Sequence, residues 1–194
     1  MIINNFKSSN SIKLKNNYAN RGIGLESDIN LSNEYYKIND VAYIYKKPTP
    51  IKLVNVDYKL GKIKEAYFDT PSTTDYNGVY KGKYIDFEAK ETTSKTSFSL
   101  SNIHKHQIKH LIDVKNHGAI SFIIVRFTLL NETYILSTEH LEDFIKKNER
   151  KSIPINFFKT YGKIIKIKYS PRIDYLSVID NIYFGGNYYD EKKN

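Results

Sequence analysis

The chain has 194 residues, 30 of them Lys or Arg against 21 Asp or Glu, a formal charge of +9 and no cysteine. That length suits one domain with a core of its own. The missing cysteines exclude a disulfide framework, a thiolate zinc site and a cysteine nucleophile. The longest apolar stretch, Ala119 to Val125, is broken by Ser121 and stops at Arg126, far short of the ~20 residues a membrane span requires. The first residues hold no apolar run of signal-peptide length, so a soluble, cytoplasmic protein with no membrane partner is expected.

The charge has a bland explanation to weigh first. The chain holds 26 Lys but only 4 Arg, with 26 Ile, 19 Asn and 17 Tyr, all types with A/T-rich codons. Genome composition accounts for abundant lysine but not for the shortage of acids to match it. Such an excess predicts affinity for polyanions through phosphate contacts and counterion release.

Residues 1–20, with three lysines and no acid, read as a basic flexible arm. Spaced apolar residues from Ile23 to Ile38 predict a helix over 21–38. Two β-rich segments follow, Val41–Tyr45 and Ile51–Asp57, separated by the turn-like Lys46-Lys47-Pro48-Thr49-Pro50. The pattern then degrades over 58–72, which reads as an extended excursion from the core. Next comes a hairpin, Asp75–Tyr80, a turn at Lys81-Gly82, and Lys83–Lys90. A helix is expected over Ile103–Asn116, stopped by Gly118, then strands Ala119–Phe127 and Thr133–Leu136, a helix Thr138–Lys147, and a mixed segment to Phe184. Residues 185–194 read as a flexible tail. This order predicts a single α/β domain with a mixed sheet.

The hairpin carries the chemistry. Alternation places Ile85, Phe87 and Ala89 on a core face and Tyr84, Asp86, Glu88 and Lys90 on the other. With a two-residue loop at Lys81-Gly82, Asp75 sits opposite Glu88; a bulge at Gly82 shifts this by one residue and still leaves the carboxylates neighbours. Two close carboxylates imply a shared proton, a bound cation or a solvated pair. Lys90, on the same face as Glu88, adds an ammonium. Two hard oxygen donors beside an ammonium suit metal-dependent phosphodiester hydrolysis.

Asp75 followed by Glu88-Ala89-Lys90 resembles the D…E-x-K core of the PD-(D/E)xK nucleases, with Thr74 where proline is usual. Ser72 to Gly78, Tyr84 to Thr92, Lys46 to Pro50, Ile63 to Phe68 and His106-Gln107-Ile108 are similar to the RecU family of bacterial Holliday junction resolvases, and the likeness runs from about Asn20 to Tyr175. The resemblance implies a restriction-endonuclease-like fold, a mixed β-sheet flanked by helices, over 21–184, with a protruding stalk over about 58–72. It implies a Mg²⁺-dependent endonuclease (Mn²⁺ a plausible substitute) that resolves four-way DNA junctions by paired symmetric nicks in homologous recombination and repair. The family's metal ligands fall on Thr73, Asp75, Glu88 and Gln107, and its catalytic lysine on Lys90. A homodimer and links to RecA and branch-migration proteins are further expectations from the family. Gln107, between Ile103 and Leu111 in helical spacing, is placed to bring its amide oxygen near Glu88. The family stalk is about three residues longer and has a nearby arginine; here Lys59, Lys62 and Lys64 stand in as phosphate contacts, with Arg21, Lys46 and Lys47 as further DNA-binding candidates. Glu26 and Arg126 are expected in structural ion pairs instead.

Rival motifs fall short. His106-Gln107-Ile108-Lys109-His110 imitates a zinc-protease helix but has Gln107 where a glutamate base is needed. Gly78 to Tyr84 has the wrong glycine spacing for a phosphate loop, and Tyr84 stands where Ser or Thr is required. Two other classes remain open: a DNA-structure-binding protein that does not cleave, and a duplex endonuclease with sequence preference.

Overall fold

A computed structural model of the chain describes residues 24–69 and 73–185. The basic arm, Arg21, residues 70–72 and the tail from 186 lie outside the described residues.

Helix α1 (Leu25–Ile38) buries Leu25, Ile29 and Tyr36 along one stripe, the spacing of an amphipathic helix. Its Gly24 N-cap offers no side chain, and Glu91 takes the capping role by accepting the Leu25 N–H at 3.0 Å. Strand β1 (Tyr43–Lys46) leads into a two-stranded ribbon, β2 (Ile51–Asp57) and β3 (Lys62–Phe68), which pair only with each other. None of residues 51–69 is buried. The exposed ribbon therefore begins at Ile51, ahead of the excursion expected over 58–72. The apolar residues of Ile51–Asp57 mimic a core strand in composition, but composition does not reveal what a strand packs against.

The chain returns to the body as β4 (Tyr76–Tyr80) and β5 (Lys83–Thr92). Lys81 and Gly82 both have positive φ, 48° and 74°, the two-residue turn that matches strand twist. The pairing Tyr80↔Lys83 through Tyr76↔Phe87 is the register read from the sequence, without a bulge. A short strand β6 (Ser97–Ser99) precedes α2 (Lys105–Asn116), which crosses to β7 (Ile120–Phe127). Then come β8 (Glu132–Ser137), α3 (Thr138–Lys147), β9 (Ser152–Pro154), α4 (Ile155–Tyr161), β10 (Lys163–Ile164) and α5 (Tyr175–Tyr183). The main sheet has the order β1-β4-β5-β7-β8-β10; β5 and β7 run parallel and all other pairs antiparallel. This is the expected mixed sheet flanked by helices. The β6–β9 pair was not legible in the sequence, since three residues carry no period.

Two cores sandwich the sheet. On one face Ile85, Phe87, Phe122 and Ile124 pack with α1 and α5 through Ile29, Tyr175 and Ile179. On the other, Ile123, Val125 and Phe127 pack with α2, α3 and α4 through Leu111, Leu141 and Phe158. Parallel pairing with helical crossover covers both faces of the central strands, so the polar face of β5 is buried as well. Asp86 and Glu88 are both 0% exposed. No described helix is long and apolar enough to cross a membrane.

Edge strand β1 lies tight against β4. A Cβ on Gly78 would stand 2.1 Å from the Tyr43 carbonyl oxygen and 2.6 Å from the Ile44 Cα. Backbone atoms cannot move aside cheaply, and overpacking of this kind costs about 1–3 kcal/mol. Gly78→Ala is expected to lower the melting temperature by roughly 5 °C in a thermal melt; an unchanged melt would show that β1 is not held this closely.

Candidate active site

The site sits where β4 and β5 meet α2. Glu88 projects beneath α2, and its Oε2 accepts the Asp75 N–H at 3.1 Å. Its Oε1 accepts the Gln107 Nε2 at 2.9 Å and a close contact from the Lys90 ammonium. Asp75 Oδ2 accepts the Ala89 N–H at 3.2 Å and lies 3.4 Å from Lys90 Nζ. Lys90 thus bridges two carboxylates, and strand alternation explains why: Glu88 and Lys90 leave β5 on the same side, and the hairpin register brings Asp75 alongside them. Asp75 and Lys90 keep 30% and 27% of their side chains exposed, while Glu88 keeps none. The centre is a half-open shelf with a buried back.

Its electrostatics follow from that burial. Loss of solvent, then the Asp75 charge, pushes the Glu88 carboxyl up to about 7, against the partial relief from Lys90. Burial pulls the Lys90 ammonium down, but its hydrogen bond to Glu88 and the two carboxylate charges outweigh this and leave it raised. One cation shared between two anions strengthens itself while leaving Glu88 undercompensated.

The remaining predicted residues divide. Gln107 is buried as expected on the sheet-facing side of α2, but it turns its nitrogen, not its oxygen, toward Glu88. Its Oε1 accepts the His104 N–H at 2.9 Å as part of the capping box that opens α2. Gln107 is a donor that orients Glu88, with its oxygen committed to the helix start. Thr73 Oγ1 accepts from Lys47 Nζ at 3.0 Å, a bond directed at the lysine and not at Glu88. Lys47, expected at a phosphate, points inward: its ammonium also reaches Thr74 Oγ1 at 2.6 Å and Asp86 Oδ2 at 2.8 Å. A short bulky segment between two strands gave no sign of which way that lysine faces. Lys46 pairs with Glu26 at 2.6 Å and Lys64 with Asp57 at 3.1 Å. Lys59 and Lys62 stand exposed at the ribbon turn. Arg126 lies 2.6 Å from buried Asp28, a structural ion pair like that of Glu26.

His106 and His110 form no zinc pair. His110 Nε2 lies 3.1 Å from Asp86 Oδ2, and the His106 ring stacks on His104 with centroids 5.3 Å apart. Among the described residues no group of three or more His, Cys, Asp or Glu gathers to hold an ion. The donor set nonetheless fits a hard divalent cation, because Asp75 and Glu88 supply oxygens only and exceed Lys90 by one charge. What the sequence left unremarked is the cluster behind this centre: Asp86 receives Thr74, Lys47, Tyr84 and His110.

Paired acids and a lysine on the central hairpin of a mixed α/β sheet define the class of fold and site. Residues 20–181 match the family model described as Recombination protein U. The chain is 55% identical over 174 residues to the Holliday junction resolvase RecU of Geobacillus sp. (strain WCH70), covering 87% of each chain. It is 56% identical over 173 residues to the protein of the same name from Geobacillus kaustophilus (strain HTA426), covering 86% of each. At greater distance stands the Archaeoglobus fulgidus Hjc, a Holliday junction resolvase, at TM-score 0.44 and 12% identity over 73% of this chain and 95% of that one. The chain belongs to the RecU family.

The raised Glu88 carboxyl has a measurable sign. In the unfolded chain it titrates near 4.5 and in the folded one near 7, so the folded state binds the extra proton between those values. Folding therefore weakens as pH rises from about 4.5 to about 7, and the full cost, roughly 3 kcal/mol, stands above 7. In EDTA, Glu88→Gln is expected to melt roughly 5 °C or more above the parent protein at pH 8, with the advantage vanishing by pH 4. Equal melting temperatures at pH 8 would mean that Glu88 is not strained by its burial.

Proposed function

We propose that this chain is a divalent-metal-dependent endonuclease that resolves four-way DNA junctions by paired, symmetric nicks in recombination and repair. The observation that carries the reading is the half-exposed Asp75 and the buried Glu88 bridged by Lys90, found in a chain whose relatives are named Holliday junction resolvases.

Asp75 and Glu88 would hold Mg²⁺, or Mn²⁺ in its place, with Thr73 and Gln107 supporting the shell. When bound, the ion supplies a Lewis acid at the phosphate and lowers the pKa of a water molecule. The chain's own groups do the rest. Gln107 holds Glu88 by its amide N–H, and the Asp75 N–H holds the other carboxylate oxygen, so the acid is fixed before substrate arrives. Lys90 keeps its proton, as its raised pKa requires, and offers positive charge to the phosphate oxygens as negative charge develops on them. Water attacks in line, leaving a 5′-phosphate and a 3′-hydroxyl. A junction has two strands to cut symmetrically, so two copies of the site in a twofold homodimer suit it. The exposed ribbon, with Lys59, Lys62 and Lys64, suits contact with junction phosphates, and RecA and branch-migration proteins are candidate partners by family membership.

A labelled mobile four-way junction and a matching linear duplex, each with Mg²⁺ or EDTA, test the reading. Paired nicks on the junction alone, lost in EDTA, are expected. Binding without nicks would indicate a non-cleaving DNA-binding protein, and rapid cutting of the duplex would sink junction specificity. Glu88→Ala should abolish nicking while junction binding persists in a gel shift; nicking at the parent rate would refute the site.

The ribbon is tested separately by replacing Lys59, Lys62 and Lys64 together with alanine. Junction affinity should fall, and the slope of log affinity against log salt should flatten by roughly one unit for each phosphate no longer neutralised. An unaltered slope would mean that the ribbon lysines do not touch DNA.

A further inference from the structure

Behind the proposed centre, the fully buried Asp86 carboxylate is surrounded by four donors. Thr74 Oγ1 makes a short hydrogen bond to Oδ1. Lys47 Nζ lies 2.8 Å, Tyr84 OH 2.8 Å and His110 Nε2 3.1 Å from Oδ2. A buried charge is retained only where it is compensated this fully, and the question is what the compensation achieves.

The answer lies in what Lys47 and Thr74 hold in turn. The Lys47 ammonium, anchored by Asp86, donates to the hydroxyls of Thr73 at 3.0 Å and Thr74 at 2.6 Å. The Lys47 backbone N–H donates to the Asp75 carbonyl at 2.8 Å. Residues 73–75 precede β4 and belong to no strand or helix of their own, so beyond that one backbone bond from Lys47 no ladder fixes them. Their path is set by this cluster: Asp86 grips Thr74 directly and Thr73 through Lys47, and the next residue is Asp75. A threonine–lysine–aspartate clamp on the segment that carries one acid thus sits two residues from Glu88, which carries the other.

We propose that Asp86 is a positioning residue. Acting through Lys47 and Thr74, it sets the distance between the Asp75 and Glu88 carboxylates and so the affinity of that pair for a divalent cation. This rests on the reading of Asp75 and Glu88 as the metal-holding pair. Asp86 itself touches neither substrate nor cation, since its oxygens are spent on Thr74, Lys47, Tyr84 and His110. Residues behind a metal site that orient its ligands typically change metal affinity by about 10–100-fold when removed, and the same range is expected here.

The full chain is titrated with Mn²⁺ alone by calorimetry, well below the melting temperature of each variant. Asp86→Asn and Lys47→Met should each weaken Mn²⁺ binding by roughly tenfold or more, and the double variant by little more than either alone, because the two act as one unit. Thr74→Val removes only the linking hydroxyl and should shift Mn²⁺ affinity in the same direction, so the proposal stays testable even where Asp86→Asn fails to fold. Excess metal should restore junction nicking to Asp86→Asn but not to Lys90→Ala.

Lys81→Met provides the structural control. It breaks the Lys81–Asp180 pair, 2.5 Å apart at the far end of the hairpin and comparably enclosed, and should lower the melting temperature while leaving Mn²⁺ affinity as in the parent. Parental Mn²⁺ affinity in folded Asp86→Asn and Thr74→Val would overturn the positioning role. A Glu88→Ala chain that still binds Mn²⁺ like the parent would overturn the underlying site instead, so the two failures are told apart.

Discussion

The structure depends on a strand that carries charge into a sheet covered on both faces. Strand β5 pairs in parallel with β7, and the helical crossover between them lays α2 over the face where Asp86 and Glu88 point. Burying an ion costs several kcal/mol unless partners replace its water. Asp86 meets that cost with two hydroxyls, an ammonium and an imidazole. Glu88 receives a backbone N–H, an amide and a share of one ammonium. Two acids one turn of the pleat apart thus have opposite tasks: Asp86 is spent on holding the local backbone, whereas Glu88 is left with unmet demand for positive charge.

That contrast changes the meaning of the charge excess. Much of the lysine on the body is engaged in ion pairs: Lys46 with Glu26, Lys47 with Asp86, Lys81 with Asp180, Lys115 with Glu142 and Lys168 with Asp174. Exposed pairs of this sort contribute little stability and yield readily to a competing phosphate, while enclosed ones such as Lys47 do not. On the ribbon, Lys59 and Lys62 form no ion pair with any described residue. The lysine count therefore overstates the cations open to a polyanion, and their location matters more than their number.

The hairpin register, and with it the meeting of Asp75 and Glu88, was legible because a two-residue turn at Lys81-Gly82 leaves only one pairing and the strand period does the rest. Gln107 was legible as a sheet-facing residue from helical spacing, but not in which end of its amide faces the acid, since the oxygen is drawn to the His104 N–H at the start of α2 and a histidine there is not the usual Ser or Thr of a capping box. The inward turn of Lys47 was not legible because charge alone suggests solvent, and nothing local marks a lysine whose partner is 39 residues away. Asp86 was visible as a member of the polar face; that this face lies under a helix follows only from the parallel pairing of β5 with β7. Ile51–Asp57 misled in the opposite sense, as apolar residues with no core to fill.

The same lysine that holds the acid segment also closes the base of the ribbon. The ribbon leaves the body at Pro50 and closes on itself where the Asp69 N–H meets the Pro50 carbonyl at 3.1 Å; three residues before it stands Lys47, and four residues after it Thr73. A two-stranded hairpin with no buried residue gains little from its own side chains, and Tyr58 and Phe68 remain 89% and 84% exposed. Its orientation must then come from its root. The bonds from Lys47 to Thr73, Thr74 and Asp75 tie the outgoing and returning chains together at that root, and the Asp75 carboxylate is the next group along. Ribbon and site share a neck, so a force that reorients the ribbon acts against the same few bonds that fix the distance between the two carboxylates.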